Sequence, residues 1–331
     1  MKAMIIREFG GPEKFQMAEI AEPKPKANQV LIRVKTSSVN PIDMKIRSGL
    51  VPAAAPPFPA VLNVDVAGVV VEVGAAVDGF SPGDRVVALG GGVKGHHGAL
   101  AEYTCIDAPL LAKIPDEVSD AAAAALPVAG LTAWEALVNR GQVKADDLVL
   151  IHGGAGGVGH MAVQLAAALG TEVATTVSGD EKAALAKKLG ARHVIDYRKE
   201  TVEAYVQAYT HQKGFRFVLD TVGGENLDRS FQAAALKGTV VATNTRSTHN
   251  LALMHGKGLT LHVVFLLVPL LFGLEKEQVG SDLKKLLAMT AEGRLAPALH
   301  QQSFGFSDIK GAHELLEQGG YLGKISLVND L

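Results

Sequence analysis

The chain has little cysteine, little excess charge and no long apolar span. Cys105 is the single cysteine among 331 residues. No intramolecular disulfide can form, and nothing in the cysteine usage argues for export. Thirty-two basic side chains face 34 acidic ones, a net charge of −2, so no basic balance points to nucleic acid. The N-terminus, MKAMIIREFG, lacks the apolar core of a secretory signal, and a cytoplasmic protein is expected. The most apolar stretch, 259–274 (LTLHVVFLLVPLLFGL), is interrupted by His262, Pro269 and Gly273. It is also shorter than the ~20 residues a membrane span requires. There are no internal repeats and no low-complexity tract. No Ser-His-Asp or Cys-His arrangement suggests a nucleophile with its base.

What is present is concentrated in LVLIHGGAGGVG, residues 148–159. An apolar run ends in clustered glycines, and an amphipathic stretch follows: strand, tight turn, helix. Gly154, Gly156 and Gly159 fit G-x-G-x-x-G, with Ala155, Gly157 and Val158 between them. In such a turn the first glycine allows the bend and the second lets backbone approach a pyrophosphate. The third lets helix pack on strand. The helix start then offers unpaired N–H groups to the phosphates. A glycine-rich turn alone is common; the flanking strand and helix make this one a dinucleotide-site candidate.

Residues 171–177 (TEVATTV) are β-branched and predict the second strand. Ser178-Gly179-Asp180-Glu181 matches a capping box that opens the next helix. An NAD site usually has an acidic residue at the end of this strand, to bind the ribose 2′-hydroxyl. Val177 and Ser178 stand there instead, and Lys182 falls in the helix's first turn. The helix dipole disfavours a cation at that place unless an anion is bound. Ser178 and Lys182 could thus hold a 2′-phosphate, favouring NADP(H). The competing reading makes Lys182 a solvated lysine and gives the ribose to Asp180.

The pattern divides the chain. Residues 1–126 are rich in short strands and turns, with prolines crowding 52–59, and form an irregular β domain with the returning 270–331 segment. Residues 127–269 alternate strands with Ala-rich helices. The predicted strands are 148–152, 172–177, 193–196, 215–220 and 239–243, so this part is a doubly wound parallel sheet. Residues 259–267 predict a further strand, either buried or a sheet edge that pairs with a second subunit. In the tail, helices are expected over 281–291 and 307–318 and a strand over 324–328.

The order of these parts, together with several short motifs, resembles the medium-chain dehydrogenase/reductase superfamily. Within it the chain resembles the zinc-lacking, zeta-crystallin-like quinone oxidoreductases. The motifs are Val39-Asn40-Pro41-Ile42-Asp43, Arg47-Ser48-Gly49, Asp65-Val66-Ala67-Gly68, Gly83-Asp84-Arg85-Val86 and Gly98-Ala99-Leu100-Ala101-Glu102-Tyr103. Leu131-Thr132-Ala133, Ala155-Gly156-Gly157-Val158-Gly159, Asp220-Thr221-Val222-Gly223-Gly224 and Gly323-Lys324 complete the set. The resemblance implies an α/β protein: a Rossmann-type sheet plus a mostly β, GroES-like catalytic domain. Zinc-dependent relatives hold a catalytic metal with Cys, His and Cys. The matching positions here are Asn40, Val64 and about Ala129, which do not supply that donor set, and one cysteine cannot build a four-cysteine site. His96 and His97 are adjacent in a glycine-rich loop with no third donor near them in sequence. No metal is expected.

The resemblance also implies roles. Asn40 would orient an acceptor carbonyl against the nicotinamide, or merely set the turn before Pro41. Thr132 would lie near the nicotinamide, or cap a helix. Tyr197 would pack on the adenosine half, or sit at the surface. Thr221, Asn244 and Lys324 join the cofactor set, and Phe265 and Phe272 would wall an apolar acceptor pocket. Tyrosines common near the positions of Lys45 and Val51 in bacterial quinone oxidoreductases are missing, which weakens the case for stacking on a quinone ring. The expected activity is zinc-free, NADPH-dependent reduction of a quinone or activated alkene by a homodimer. An enoyl-thioester reductase and a non-catalytic NADPH-binding structural protein are the alternatives.

Overall fold

The computed structural model describes residues 1–331, which form two compact units. The first comprises Met1–Leu131, Leu266–Gly293 and Pro297–Leu331; the second comprises Thr132–Phe265 and Arg294–Ala296.

The first unit opens with strands β1 (Lys2–Ile6), β2 (Gln16–Glu19) and β3 (Gln29–Val39), then helix α1 (Pro41–Arg47). Strands β4 (Ala60–Val61), β5 (Asp65–Val73), β6 (Arg85–Leu89), β7 (Tyr103–Asp107) and β8 (Leu111–Lys113) follow, with helices α2 (Asp120–Ala124) and α3 (Pro127–Trp134) after them. Strand β3 organises the unit. It pairs antiparallel with β5, for example Ile32 against Val70, and with β7 on its other side. Val30, Leu31, Ile32 and Val34 are buried along it, and only Arg33 and Lys35 are exposed. At its end Asn40 is extended and Pro41 takes the first position of α1, where a missing N–H costs nothing.

The second unit takes in the last residues of α3 and a π-helical turn over Glu135–Arg140. It continues with β9 (Leu148–His152), α4 (Gly157–Ala168), β10 (Glu172–Val177), α5 (Asp180–Lys188), β11 (His193–Asp196) and α6 (Val202–Thr210). Then come β12 (Phe215–Asp220), α7 (Glu225–Ala233), β13 (Ala234–Ala242), α8 (Ala252–Lys257) and β14 (Thr260–Val263). All pairings are parallel and the order is β11-β10-β9-β12-β13-β14. This is the doubly wound sheet expected from the sequence. Val149, Leu150 and Ile151 of β9 are all fully buried, which is why a central parallel strand reads as a continuous apolar run. Right-handed crossovers put α4 and α5 on one face and α6 and α7 on the other. The strand order reverses between β9 and β12, and ligands bind outside the carboxyl ends of such strands.

The remaining elements are α9 (Val268–Phe272), α10 (Lys276–Ala291), β15 (Phe304–Gly305), α11 (Ile309–Gln318) and β16 (Ile325–Val328), all in the first unit. Val279, Leu283, Leu286 and Leu287 are buried along α10, the spacing of one helical face. Strand β16 pairs antiparallel with β3, Ile325 opposite Val39.

Several expectations are corrected. The 259–267 run is not one buried strand: β14 ends at Val263, which is half exposed, and 268–272 is a short helix. Strand β14 is the outermost in its sheet, so its outer backbone has no strand partner and its side chains need not be buried. Helix α10 starts five residues earlier than the 281 expected from its apolar face, because Lys276–Gly280 adds a further turn. The helix expected from 307 begins at Ile309, after a 3-10 turn over Phe306–Asp308, and the last strand begins at Ile325 rather than 324.

Candidate functional site

The glycine turn is built by backbone proximity. Gly153 takes φ +75°, a left-handed conformation that suits glycine. The bend thus sits one residue before the first glycine of the motif. Gly154 instead permits close packing: a Cβ there would lie 2.0 Å from Thr175 Oγ1 on β10. A Cβ on Gly159 would lie 2.0 Å from the Gly153 carbonyl oxygen, so glycine lets α4 press against the turn. Above Gly156 the space is more open, with only the Gly153 oxygen nearby, at 3.3 Å. The first N–H groups of α4 have no partner within the helix and point toward this space. The arrangement fits a bound pyrophosphate.

A pocket of about 470 Å³ adjoins the turn at the carboxyl ends of the strands. Ala155, Ser178, Lys182 and Tyr197, all expected at the cofactor, line it together with Gly153, Thr176, Val222, Asn226 and Arg229. At the end of β10 the lining is Val177 and Ser178, with no carboxylate. Ser178 does not cap α5 as its sequence suggests. Gly179 is the N-cap with φ +81°, and no side chain caps the helix, which leaves the Ser178 hydroxyl out of the helix. Tyr197 is 47% exposed. Thr221 Oγ1 donates to the His152 carbonyl at 2.6 Å and Asn244 Nδ2 to the Val222 carbonyl at 3.2 Å, so both brace the rim. Thr132 is buried in α3 and does not line this pocket.

Nothing in the sequence pattern singles out Asn226 and Arg229, since they sit in an ordinary polar helix. Buried Asp220 places them. Its carboxylate accepts from the Val222 and Gly223 N–H groups, both at 2.8 Å, and from Asn226 Nδ2 at 3.0 Å and Ser230 Oγ at 2.9 Å. One carboxylate thus fixes the turn and the start of α7. His152, under the same strand ends, bonds through Nδ1 to Thr176 Oγ1 at 3.1 Å. Burial lowers its pKa to about 4, so the ring is neutral near pH 7.

In the first unit Asn40 belongs to a buried polar cluster. The pairing of β16 with β3 brings Lys324 to Asn40. The Lys324 ammonium donates to Asn40 Oδ1, to Asp65 Oδ2 at 3.1 Å and to the Val39 carbonyl at 3.4 Å. Asn40 Nδ2 donates to Asp65 Oδ2 at 2.7 Å. Ser38 Oγ also donates to that oxygen, and the Val128 N–H donates to Asp65 Oδ1 at 2.8 Å. Asp43 accepts the Asn40 N–H at 2.8 Å. Burial first, and then neighbouring Asp65, raise the Asp43 pKa to about 7. Lys324, expected among the cofactor ligands, has its three donors engaged inside this cluster. Asn40 likewise has its amide oxygen and nitrogen committed. Asp43 and Asp65 were legible only as motif letters. Phe265 and Phe272 are both exposed, Phe272 at 66%, at the end of α9.

Residues 26–116 match the model of the alcohol dehydrogenase GroES-like domain, and residues 157–266 that of the zinc-binding dehydrogenase family. The chain is 33% identical over 330 residues to quinone oxidoreductase 1 of Escherichia coli, covering 98% of each. It belongs to the quinone oxidoreductase group of medium-chain dehydrogenase/reductases. It is also 35% identical over 335 residues to the NADPH-dependent alkenal/one oxidoreductase of Arabidopsis thaliana, covering 98% of this chain and 78% of that one. The structure of E. coli quinone oxidoreductase complexed with NADPH superposes with a TM-score of 0.90 at 31% identity, covering 99% of this chain and 100% of that one. The second family description names zinc, but Val64 and Ala129 in this group member carry no donor atom in their side chains, and Asn40 is bound within its own cluster. No three His, Cys, Asp or Glu side chains are gathered as a metal would require. The residues present do not fit a catalytic zinc.

Proposed function

We propose that this protein is an NADPH-dependent oxidoreductase that reduces quinones or other activated conjugated carbonyls and alkenes without zinc. The observation that carries the reading is the pocket beside the glycine turn. It offers Ser178 just after β10, Lys182 in the first turn of α5 and Tyr197 just after β11, where an NAD site would offer an acid. The E. coli relative bound to NADPH and the Arabidopsis NADPH-dependent enzyme support it.

Bound NADPH supplies a hydride. The protein binds and orients: the α4 N-terminus and the open backbone at Gly156 receive the pyrophosphate, and Ser178 and Lys182 hold the 2′-phosphate. With no zinc ligands at the three matching positions, the protein has no built Lewis acid to polarise a simple alcohol. Acceptors that are already electron-poor, such as quinones and enones, need none. The Asn40 amide is fixed by Asp65 and Lys324, and we assign this buried cluster the task of holding the end of β3 and the start of α1 in one geometry. Exposed Phe272 supplies an apolar contact for the acceptor. Phe272→Asp should raise KM for hydrophobic acceptors and leave NADPH binding unchanged.

No helix is long and apolar enough to cross a membrane, and we place the protein in the cytoplasm. We further propose a homodimer formed through β14, an outermost strand with exposed Val263 and, just beyond it, Phe265. The decisive assay follows NADPH absorbance loss with a panel of quinones, enones and enoyl thioesters. Turnover of quinones or enones with stoichiometric NADPH loss, insensitive to chelators, is expected. Activity confined to enoyl thioesters, or none at all, refutes the reading. Sedimentation at micromolar concentration tests the dimer.

A further inference from the structure

Two cations line the pocket beside the glycine turn, and sequence motifs point to only one of them. Lys182 belongs to α5 and Arg229 to α7, helices on opposite faces of the sheet, so the two approach its carboxyl edge from either side. Neither makes an ion pair or side-chain hydrogen bond. Arg229 has a candidate partner in Glu225, four residues earlier on the same helix, a spacing that favours ion pairs. Both line the pocket, yet they do not pair. The neighbouring acid Asp228 is taken by His249, at 3.0 Å. Arg229 lines the pocket beside Val222, Gly223 and Asn226, opposite Ser178 and Lys182. Its helix is held by Asp220 through Asn226 and Ser230, and the preceding turn by the same carboxylate through the Val222 and Gly223 N–H groups. A free guanidinium on an anchored helix, across a pocket from a free ammonium, is the arrangement that receives a dianion.

We infer that Arg229 is a specificity-determining residue that binds the 2′-phosphate of NADPH together with Lys182. The inference rests on the NADP(H) reading above. A planar guanidinium presents two parallel N–H groups to one phosphate, whereas Lys182 contributes a point charge. NADH carries a hydroxyl at that place, and Arg229 gains little from it.

Arg229 also borders a second pocket of about 360 Å³, where Glu200 and Glu203 are among the lining residues. A role confined to that pocket is the rival reading, and the test separates the two. Dissociation constants for NADPH and NADH are measured by cofactor fluorescence on the full-length parent, Arg229→Ala, Arg229→Lys and Lys182→Ala. Thermal unfolding confirms that the variants fold. Arg229→Ala should weaken NADPH about tenfold, as expected for a charge-assisted phosphate contact, and leave NADH within about twofold. Arg229→Lys should recover part of the loss. Equal weakening of both cofactors would make Arg229 a wall for the adenine, and no weakening would confine it to the second pocket; either overturns the inference. If the parent itself binds both cofactors equally, the NADP(H) reading fails first. If Lys182→Ala abolishes an NADPH preference that Arg229→Ala leaves intact, only the present inference fails.

Discussion

The cradle at Gly153–Gly159 and the cluster around Asn40 meet a demand for polar precision by opposite means. The cradle keeps its polar groups near water. Its donors are backbone N–H groups, its cations Lys182 and Arg229 are unpaired, and its glycines exist to remove side chains. The cluster withdraws Asn40, Asp43, Asp65 and Lys324 from solvent almost completely, so each charge must be met by another. An open site tolerates loss of a charge and reports it in binding. A closed one reports it in stability, because a buried charge left alone is costly.

The largest expected effect tests the closed cluster. Lys324→Met leaves Asp65 buried with no cation, which should destabilise the protein by about 3–5 kcal/mol, read as a shift in the urea midpoint. If Lys324 instead serves the cofactor directly, NADPH affinity falls and stability does not, and the contrast between the two regions is lost.

The next effect tests the open cradle. Gly159→Val drives a side chain into the Gly153 carbonyl, whose oxygen would lie 2.0 Å from the first added carbon. NADPH affinity should fall at least ~100-fold, about 2.7 kcal/mol, in fluorescence titration. The Lys324 variant should therefore lose stability with NADPH affinity retained, whereas the Gly159 variant, whose clash is with backbone, should lose both.

This separation also explains what could be read from the sequence. The cradle is local: its glycines fall within seven residues of one another in chain order, from Gly153 to Gly159, so strand, turn and helix announce it. The cluster joins Asn40 to Asp65 across 25 positions and to Lys324 across 284. No spacing reveals such a contact; it appears only once β16 pairs with β3. Arg229 was hidden differently, on a polar helix whose aim is set by Asp220. Where the sequence misled, glycine was the cause twice, at Gly153 and Gly179, because either of two adjacent residues could have taken the positive φ or the cap.

Each unit also buries a histidine, and acid compares them. Burial lowers His152 to about 4 and His313 to about 3, both from 6.5. The unfolded chain therefore takes up these protons first as pH falls, and each histidine lowers stability by ~1.4 kcal/mol per pH unit below its unfolded value. Asp43 acts oppositely. Burial raises it from 3.8 to about 7, so the folded state is protonated first. Its contribution is fully present below about 3.8 and lost as pH rises through about 7. Taken by themselves, these two histidines against one aspartate contribute a loss of ~1.4 kcal/mol per pH unit between about pH 6.5 and 4, and His96, also lowered by burial, adds to it. His313 packs on the Phe15 ring at 4.9 Å, and neither of its nitrogens has a partner. His313→Phe should reduce the slope by ~1.4 kcal/mol per pH unit in urea unfolding over that range. An unchanged slope would mean that His313 is hydrated and titrates normally.

The smallest effect distinguishes the two residues at the start of α5. Gly179 caps the helix with φ +81° and ψ 166°, a region reserved almost entirely for glycine. Gly179→Ala should cost at least about 1 kcal/mol of stability without cofactor, although open space surrounds the position and no clash is created. Ser178→Ala should change stability by less than ~0.5 kcal/mol, since its hydroxyl caps nothing, while still weakening NADPH. Were Ser178 the cap that its sequence suggests, the order would reverse, with Ser178→Ala costing ~1 kcal/mol. Thermal unfolding of the two variants without cofactor, followed by NADPH titration, therefore decides whether this serine belongs to the helix or to the pocket.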